Sequence, residues 1–121
     1  MILGMTTDQQ LGPMITIGFG GYYAEALKDA VTLMPPFTAE TAKTAIKSLR
    51  MKSLLDGYRG TDPVDINAFA QMASVFSLIA IEFKEQISEI DINPVILGKD
   101  NCIAVDALIS LHQQKNKTEG E

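Results

Sequence analysis

The run ISEIDINPVIL at residues 87–97, followed by CIAVDAL at residues 102–108, decides the fold of this chain. Both runs are rich in apolar and β-branched residues, which favour strands. The turn-forming segment from Gly98 to Asn101 separates them. We therefore predict two antiparallel strands joined as a hairpin.

The first of these runs alternates between polar and apolar side chains. Successive side chains of a strand point to opposite faces, so Glu89, Asp91 and Asn93 are predicted to share one face. Ile90 and Ile92 are predicted to point to the other face and into the core. Three oxygen-bearing side chains should therefore project from one side of the strand.

The first third of the chain has the pattern of further strands. We predict strands at residues 2–5 and 14–19, joined by a polar loop from Thr6 to Gly12, and another strand at residues 22–27. Pro35 and Pro36 should then end this all-β part, because proline cannot donate to a strand ladder.

Two helices are predicted between the strands. Thr38 is a suitable N-cap for the first helix, with Glu40 in its first turn, and Asp65 is a suitable N-cap for a longer helix that ends near Glu85. The first helix should bury Ala42, Ala45, Ile46 and Leu49. The second should bury Phe69, Met72, Phe76, Ile79 and Phe83, and it is apolar nearly all round, which predicts burial on two sides. The fold class is therefore α+β, a mainly antiparallel sheet packed with two or three helices.

Composition excludes several functions for these 121 residues. The net charge is −5 and the basic residues are scattered, which argues against nucleic acid as a partner. The most apolar run, residues 68–81, is too short to span a bilayer, so no membrane segment is predicted. The single cysteine, Cys102, allows no internal disulfide and fits a reducing cytoplasm.

The polar face of the hairpin is the candidate site. The spacing from Asn93 to Asp106 suits a chain that folds back and sets Asp106 beside Asn93 or Asp91. Mg²⁺ binds oxygen ligands, typically one or two carboxylates together with water and substrate phosphates. The alternation alone favours the plainer interpretation, a solvated strand face whose pairing ends at Pro94.

Three stretches resemble the ATP-grasp domain of NDP-forming acyl-CoA synthetases and the related succinyl-CoA synthetase β subunit. They are residues 88–94 with Ala104 to Asp106, residues 19–29, and residues 54–60 with Pro63 to Asp65. The resemblance covers residues 1–111 and implies the C-terminal half of that domain, followed by a polar tail at 112–121. It also implies that the half carrying the phosphate-gripping lysine and the adenine-binding segment precedes residue 1.

The family resemblance assigns the site. It implies that Asp91, Asn93 and Asp106 hold Mg²⁺, or Mn²⁺, which bridges the phosphates of ATP or ADP. It places the glycine-rich stretch with Gly20 and Gly21 beside the active site, where backbone amides could contact phosphate, although a structural bend is the alternative. Glu25 and Arg59 are further candidates for the nucleotide cleft, with a plain surface role as the alternative for each.

The implied activity is a ligase that converts carboxylic acid, CoA and ATP into acyl-CoA, ADP and phosphate. We expect this chain to be inactive alone and to need the missing half or a companion subunit as its partner. The alternative is a non-catalytic interaction module that forms homo-oligomers through the apolar surface left by the missing half.

Overall fold

The computed structural model describes residues 1–19, 29–50, 52–57 and 63–113. The strands are β1 (Ile2–Asp8), β2 (Gly12–Gly18), β3 (Ala30–Leu33), β4 (Ile87–Ile92), β5 (Val95–Leu97), β6 (Cys102–Ala104) and β7 (Ala107–Leu111). The helices are α1 (Ala39–Lys47) and α2 (Ile66–Glu82), with a short 3₁₀ turn at Lys52–Leu54. The predicted α+β class is confirmed.

Five strands form one antiparallel sheet in the order β3-β2-β1-β4-β7, and β5 pairs with β6 in a separate two-stranded sheet. One face of the large sheet is apolar and packs against the two helices. Its buried side chains include Leu3, Met5, Ile15, Ile17 and Ile90. The opposite face of the sheet carries none of these core side chains and is the face that presents Asp91.

The connection between β1 and β2 is shorter than the predicted loop. Thr6 and Thr7 extend β1 because they pair with β2 on one side, and Thr6 also pairs with Glu89 of β4 on the other. The turn is held by the Asp8 carboxylate, which accepts hydrogen bonds from the backbone N–H groups of Gln10 (2.8 Å) and Leu11 (2.9 Å). These bonds lower the pKa of Asp8.

The third strand of the sheet is β3, at residues 30–33. It pairs with β2 through the register Ile17 to Val31 and Thr16 to Thr32. The sequence prediction of a strand at residues 22–27 lies outside the described residues, and β3 itself was not predicted. Four residues carry little periodic signal, so this strand can be identified only by its pairing with β2.

Helix α1 begins at its predicted N-cap and buries its predicted face. The hydroxyl of Thr38 accepts the backbone N–H of Thr41 at 3.2 Å, as an N-cap should, and Glu40 lies in the first turn. Ala42, Ala45, Ile46 and Leu49 are all buried.

We expect Thr38→Ala to lower the free energy of unfolding by about 1 kcal/mol, because one N–H group at the start of α1 loses its acceptor. Urea denaturation followed by circular dichroism measures this. Thr44→Ala is the matched control, since Thr44 is exposed within the same helix and its hydroxyl only bonds back to the carbonyl of Glu40. That control should leave stability unchanged or slightly raised. Equal losses in both variants would contradict the capping role.

Helix α2 begins after the N-cap Asp65, whose carboxylate accepts the backbone N–H of Ala68 at 2.9 Å. The prediction of its buried face is only partly right, because Ile79 and Phe83 are exposed. Small residues form much of the core side and allow close packing; the buried set is Phe69, Ala70, Ala73, Phe76, Ser77 and Ala80.

The other side of α2 is exposed in this structure. Val75, Leu78 and Ile79 project away from the core. The prediction that α2 is buried on two sides is therefore wrong within the described residues. No helix within the described ranges is both long and apolar enough to cross a membrane.

Candidate metal centre

The alternation of side chains along β4 is as predicted. Glu89 and Asp91 are exposed, whereas Ile90 is buried and Ile92 is half-buried. Asn93 follows the strand directly and is also exposed. The three polar side chains therefore continue one solvent-facing row while the isoleucines contact the core.

The structure brings Asn93 and Asp106 together. The backbone N–H of Asn93 donates to the carbonyl oxygen of Asp106 at 3.1 Å, and the N–H of Val105 donates to the carbonyl of Pro94 at 3.0 Å. Side chains of directly opposite residues in an antiparallel pair project to the same face. Asp106 thus joins the row that Asp91 and Asn93 begin.

The two runs pair in one register, as the predicted hairpin requires, from Ile92 opposite Ala107 to Leu97 opposite Cys102, but the ladder is interrupted between them. Both chains of this ribbon change sheets at this point, β4 to β5 across the cis peptide between Asn93 and Pro94, and β6 to β7 across Val105 and Asp106. Pro94 has no N–H, which interrupts the ladder in the middle of the ribbon. Asn93 and Asp106 therefore lie at the junction between the two sheets.

Asp91 lies in the large sheet next to this junction. Its direct neighbours are Gly4 of β1 and Leu108 of β7. Beyond Gly4 the same row continues with Thr16 and Thr32. Glycine leaves the space beside Asp91 free of a side chain, since a Cβ at Gly4 would have no neighbour closer than 3.8 Å.

The charged side chains of the strands that form this face have one sign only. The five strands of the large sheet contain Asp8, Glu89 and Asp91 but no lysine, arginine or histidine. Asp106 adds another exposed carboxylate at the junction, where its Oδ1 accepts the N–H of Ala107 at 2.9 Å. The face can therefore attract a cation, and it cannot bind a polyphosphate through strand side chains of opposite charge.

The donor set at the junction fits a hard divalent cation. Asp91 and Asp106 supply carboxylate oxygens and Asn93 supplies a neutral amide oxygen, which are ligand types that Mg²⁺ takes. Within the described ranges no three histidine, cysteine, aspartate or glutamate side chains form a metal-binding cluster. The candidate site has two carboxylates and an amide, so water and substrate oxygens would complete the coordination.

The other predicted site residues fall outside the described part of the chain. Gly20, Gly21, Glu25 and Arg59 all lie in residues 20–28 or 58–62. Their assignment to the nucleotide cleft stays a prediction.

Asp29 is a polar residue whose structural role the sequence did not reveal. It is only 4% exposed, and its Oδ1 accepts the backbone N–H of Arg50 at 2.7 Å. The carboxylate therefore ties the start of β3 to the segment that follows α1. The one sequence feature that could have indicated this role is the position of an acidic residue directly before a short apolar strand.

Cys102 is half-buried in β6, beside the exposed side of α2. Burial raises the pKa of its thiol, and the charge of Asp65 adds to this effect. A thiol that resists ionisation is a weak nucleophile. Cys102 therefore serves as a small, half-buried strand residue.

Comparison with known proteins identifies the class of this fold. Residues 1–111 match the family model described as an ATP-grasp domain. The chain belongs to the ATP-grasp domain family, which confirms the resemblance seen in the sequence.

The relatives are acid–CoA ligases. The chain is 40% identical over 111 residues to the acetate–CoA ligase [ADP-forming] I subunit beta of Pyrococcus furiosus, covering 92% of this chain and 47% of that subunit. It is 37% identical over 114 residues to the 4-hydroxybutyrate–CoA ligase [ADP-forming] of Nitrosopumilus maritimus, covering 92% of this chain and 16% of that protein. The chain thus spans about half the length of the β subunits that it resembles.

A solved structure shows the same arrangement of strands and helices. The dinucleotide forming acetyl-coenzyme A synthetase 1 of Ca. Korarchaeum cryptofilum, solved with coenzyme A and Mg-AMPPCP, superimposes with a TM-score of 0.87 at 36% identity. The match covers 92% of this chain and 52% of that one. The described residues therefore share the fold of the corresponding part of that synthetase.

Proposed function

We propose that this chain is the metal- and nucleotide-phosphate-binding part of an NDP-forming acyl-CoA synthetase. In this proposal Mg²⁺ or Mn²⁺ would be held at the junction of the two sheets, where its charge would offset the negative charge of the phosphates of ATP or ADP. The metal ligands are Asp91, Asn93 and Asp106, and the nucleotide contacts are Gly20, Gly21, Glu25 and Arg59.

The observation that carries the proposal is the one-sided charge of the strands that form the open sheet face. Carboxylates at Asp91 and Asp106 would repel a nucleotide polyphosphate, and no cationic side chain on the five strands offsets them. A divalent cation between the carboxylates and the phosphates removes the repulsion. The same acids that exclude free phosphate would then recruit metal-bound phosphate.

When bound, Mg²⁺ neutralises charge that develops on the transferring phosphoryl group. The contribution of this chain is to orient the ligands. The hydrogen bond from Asn93 to Asp106 fixes the spacing of their backbones, and the pairing of β4 with both β1 and β7 holds Asp91 in a rigid sheet. Gly4 leaves room beside Asp91 for a substrate oxygen or a water molecule.

Acyl-CoA formation would require more protein than this chain contains. The reaction joins a carboxylic acid to CoA at the expense of ATP, and the β subunits that the chain resembles are about twice its length. We expect the chain alone to bind divalent metal and nucleotide weakly and to form no acyl-CoA. A further ATP-grasp half or a companion subunit would supply the remaining contacts, in a reducing cytoplasm.

The test is a Mn²⁺ titration followed by electron paramagnetic resonance, with Mg²⁺ as competitor. We expect Asn93→Ala and Asp106→Ala to weaken Mn²⁺ binding by about 10-fold or more, since even the loss of an outer partner of a metal ligand costs 10- to 100-fold. Asp100→Ala is the matched control. Asp100 is an exposed acid in the turn at the far end of the same ribbon, so its loss removes the same charge but no proposed ligand.

Equal weakening in Asp106→Ala and Asp100→Ala, with Asn93→Ala unchanged, would mean that Mn²⁺ responds only to net charge, and the proposed site would be wrong. Unchanged affinity in both Asn93→Ala and Asp106→Ala would also contradict the proposed site. Circular dichroism spectra that match the wild type are needed for either reading, because both residues lie where the ribbon changes sheets.

A non-catalytic interaction module is the second candidate function. It is supported by an open apolar groove of about 430 Å³ between α2 and β6, lined in part by Met72, Val75, Ile79, Cys102 and Ala104. Apolar surface of this kind is commonly covered by another protein surface. A module of this type would self-associate whether or not metal is bound.

A further inference from the structure

Strand β7 forms one edge of the large sheet. It pairs with β4 on one side, and the described part of the chain provides no strand on its other side. An edge strand exposes a row of backbone donors and acceptors to which another strand can bind.

The hydrogen bonds of β7 show which of its backbone groups face outward. Asp106 and His112 bond towards the β4 side, through the Asp106 carbonyl to Asn93 and the His112 N–H to Gln86. Direction alternates along an antiparallel strand, so the groups of residues 107, 109 and 111 point away from β4. The N–H of Ala107 is already bonded to the Asp106 carboxylate, which leaves five outward groups.

The side chains of β7 do not protect this edge. Natural edge strands are usually blunted by charged residues, proline or a covering element. The sequence of β7 is Ala-Leu-Ile-Ser-Leu, without charge or proline, and all five residues are exposed. Leu108 and Leu111 are each 68% exposed. Such an edge favours the addition of a strand.

We propose that the occupant is β7 of a second copy of this chain, paired antiparallel about a twofold axis at Ile109. This gives self-association, the second candidate function, an interface other than the groove beside α2, and it does not depend on the metal site. In that register each Ile109 bonds to the other through its N–H and its carbonyl. Each Leu111 N–H donates to the carbonyl of Ala107 in the other copy, so four hydrogen bonds form while the contact between Asp106 and Ala107 is kept.

The side chains match in the same register. Ile109 meets Ile109 of the second copy and Ala107 meets Leu111, which buries apolar surface on the helix side of the sheet. Asp106 lies opposite His112, the only histidine of the chain. Although the chain has a net charge of −5, no two acidic residues oppose each other along this edge. The sheet grows sideways to ten strands and its open face stays free.

Sedimentation equilibrium tests the proposal on the full chain between about 10 and 500 μM, a range suited to interfaces in the micromolar class. We expect a mass that approaches twice 13.2 kDa as concentration rises. Ile109→Lys places two ammonium groups together at the axis and should raise the dissociation constant at least about 10-fold. Val75→Lys adds the same charge at another exposed apolar residue, on α2, and should leave it unchanged.

A wild-type monomer throughout this range would overturn the proposal. A dimer that Val75→Lys dissociates and Ile109→Lys does not would overturn it as well, and would assign the contact to the groove beside α2. Neither result bears on the Mn²⁺ titration, which measures metal affinity and not mass. The two proposals can therefore fail separately.

The register has its own test in a Cys102→Ser background. Opposed residues of an antiparallel pair have Cα atoms about 5.5 Å apart, within the range that a disulfide spans. Ile109→Cys should therefore form a covalent dimer under mild oxidation, several-fold faster than Ile103→Cys, which is similarly exposed on β6. Equal rates for the two cysteines would contradict pairing at Ile109.

Discussion

Replacing Phe69 with alanine should lower the free energy of unfolding by about 3–5 kcal/mol. Phe69 is fully buried and lies where α2 meets the core of the large sheet. Truncation removes most of an aromatic side chain and leaves a cavity that the rigid sheet cannot fill. Since domains of this size are stable by only about 5–15 kcal/mol, much of the stability would be lost. Urea denaturation monitored by circular dichroism measures the change.

Leu78→Ala is the control for this experiment. Leu78 lies on the same helix but is 55% exposed, so its truncation should cost less than about 1 kcal/mol. Similar costs for the two variants would show that α2 turns a different face to the sheet. That result would contradict the described packing of α2 and the assignment of its exposed side.

Gly18→Ala should destabilise the protein by about 1–3 kcal/mol, the usual cost of forcing extra volume into a packed site. A Cβ at Gly18 would lie 2.8 Å from the Cβ of Ala30 and 2.9 Å from the carbonyl oxygen of Asp29. Both distances are shorter than van der Waals contact, and one neighbour is backbone that a rotamer change cannot move. The start of β3 would have to shift, together with the buried Asp29 carboxylate.

Gly4→Ala provides the matched control on the neighbouring strand. A Cβ at Gly4 meets nothing closer than 3.8 Å, so alanine fits without strain. It should leave stability unchanged or raise it by about 0.4–1 kcal/mol, because it restricts the unfolded chain. Thermal unfolding of the two variants side by side is sufficient. A larger loss in Gly4→Ala than in Gly18→Ala would contradict the described register of β1, β2 and β3.

Much of the site was predictable because it depends on local alternation. The exposure of Glu89, Asp91 and Asn93 follows from the period of a strand with one face in the core. The return of the chain to place Asp106 beside Asn93 followed from the length of the connection. The change of sheet at Pro94 was missed, since proline marks an interruption without saying where the chain goes next.

The buried face of α2 could not be read from periodicity. Large apolar residues occur nearly all round this helix, so several faces fit a period of 3.6 residues equally well. Close packing against α1 and the sheet determines which face of α2 is buried, because it requires small side chains such as Ala73 and Ser77. Ser77 is buried because its hydroxyl accepts the N–H of Phe37 at 3.2 Å and donates to the carbonyl of Ser74 at 2.6 Å.

By itself the sequence determined the α+β class, the two helix starts at Thr38 and Asp65, and the polar row of β4, because caps and strand alternation act over a few residues. Only the tertiary structure decided the length of β1, the burial of Asp29 and the position of β7 at the sheet edge. Each of these depends on a partner far away in the chain, and local patterns carry no information about such partners.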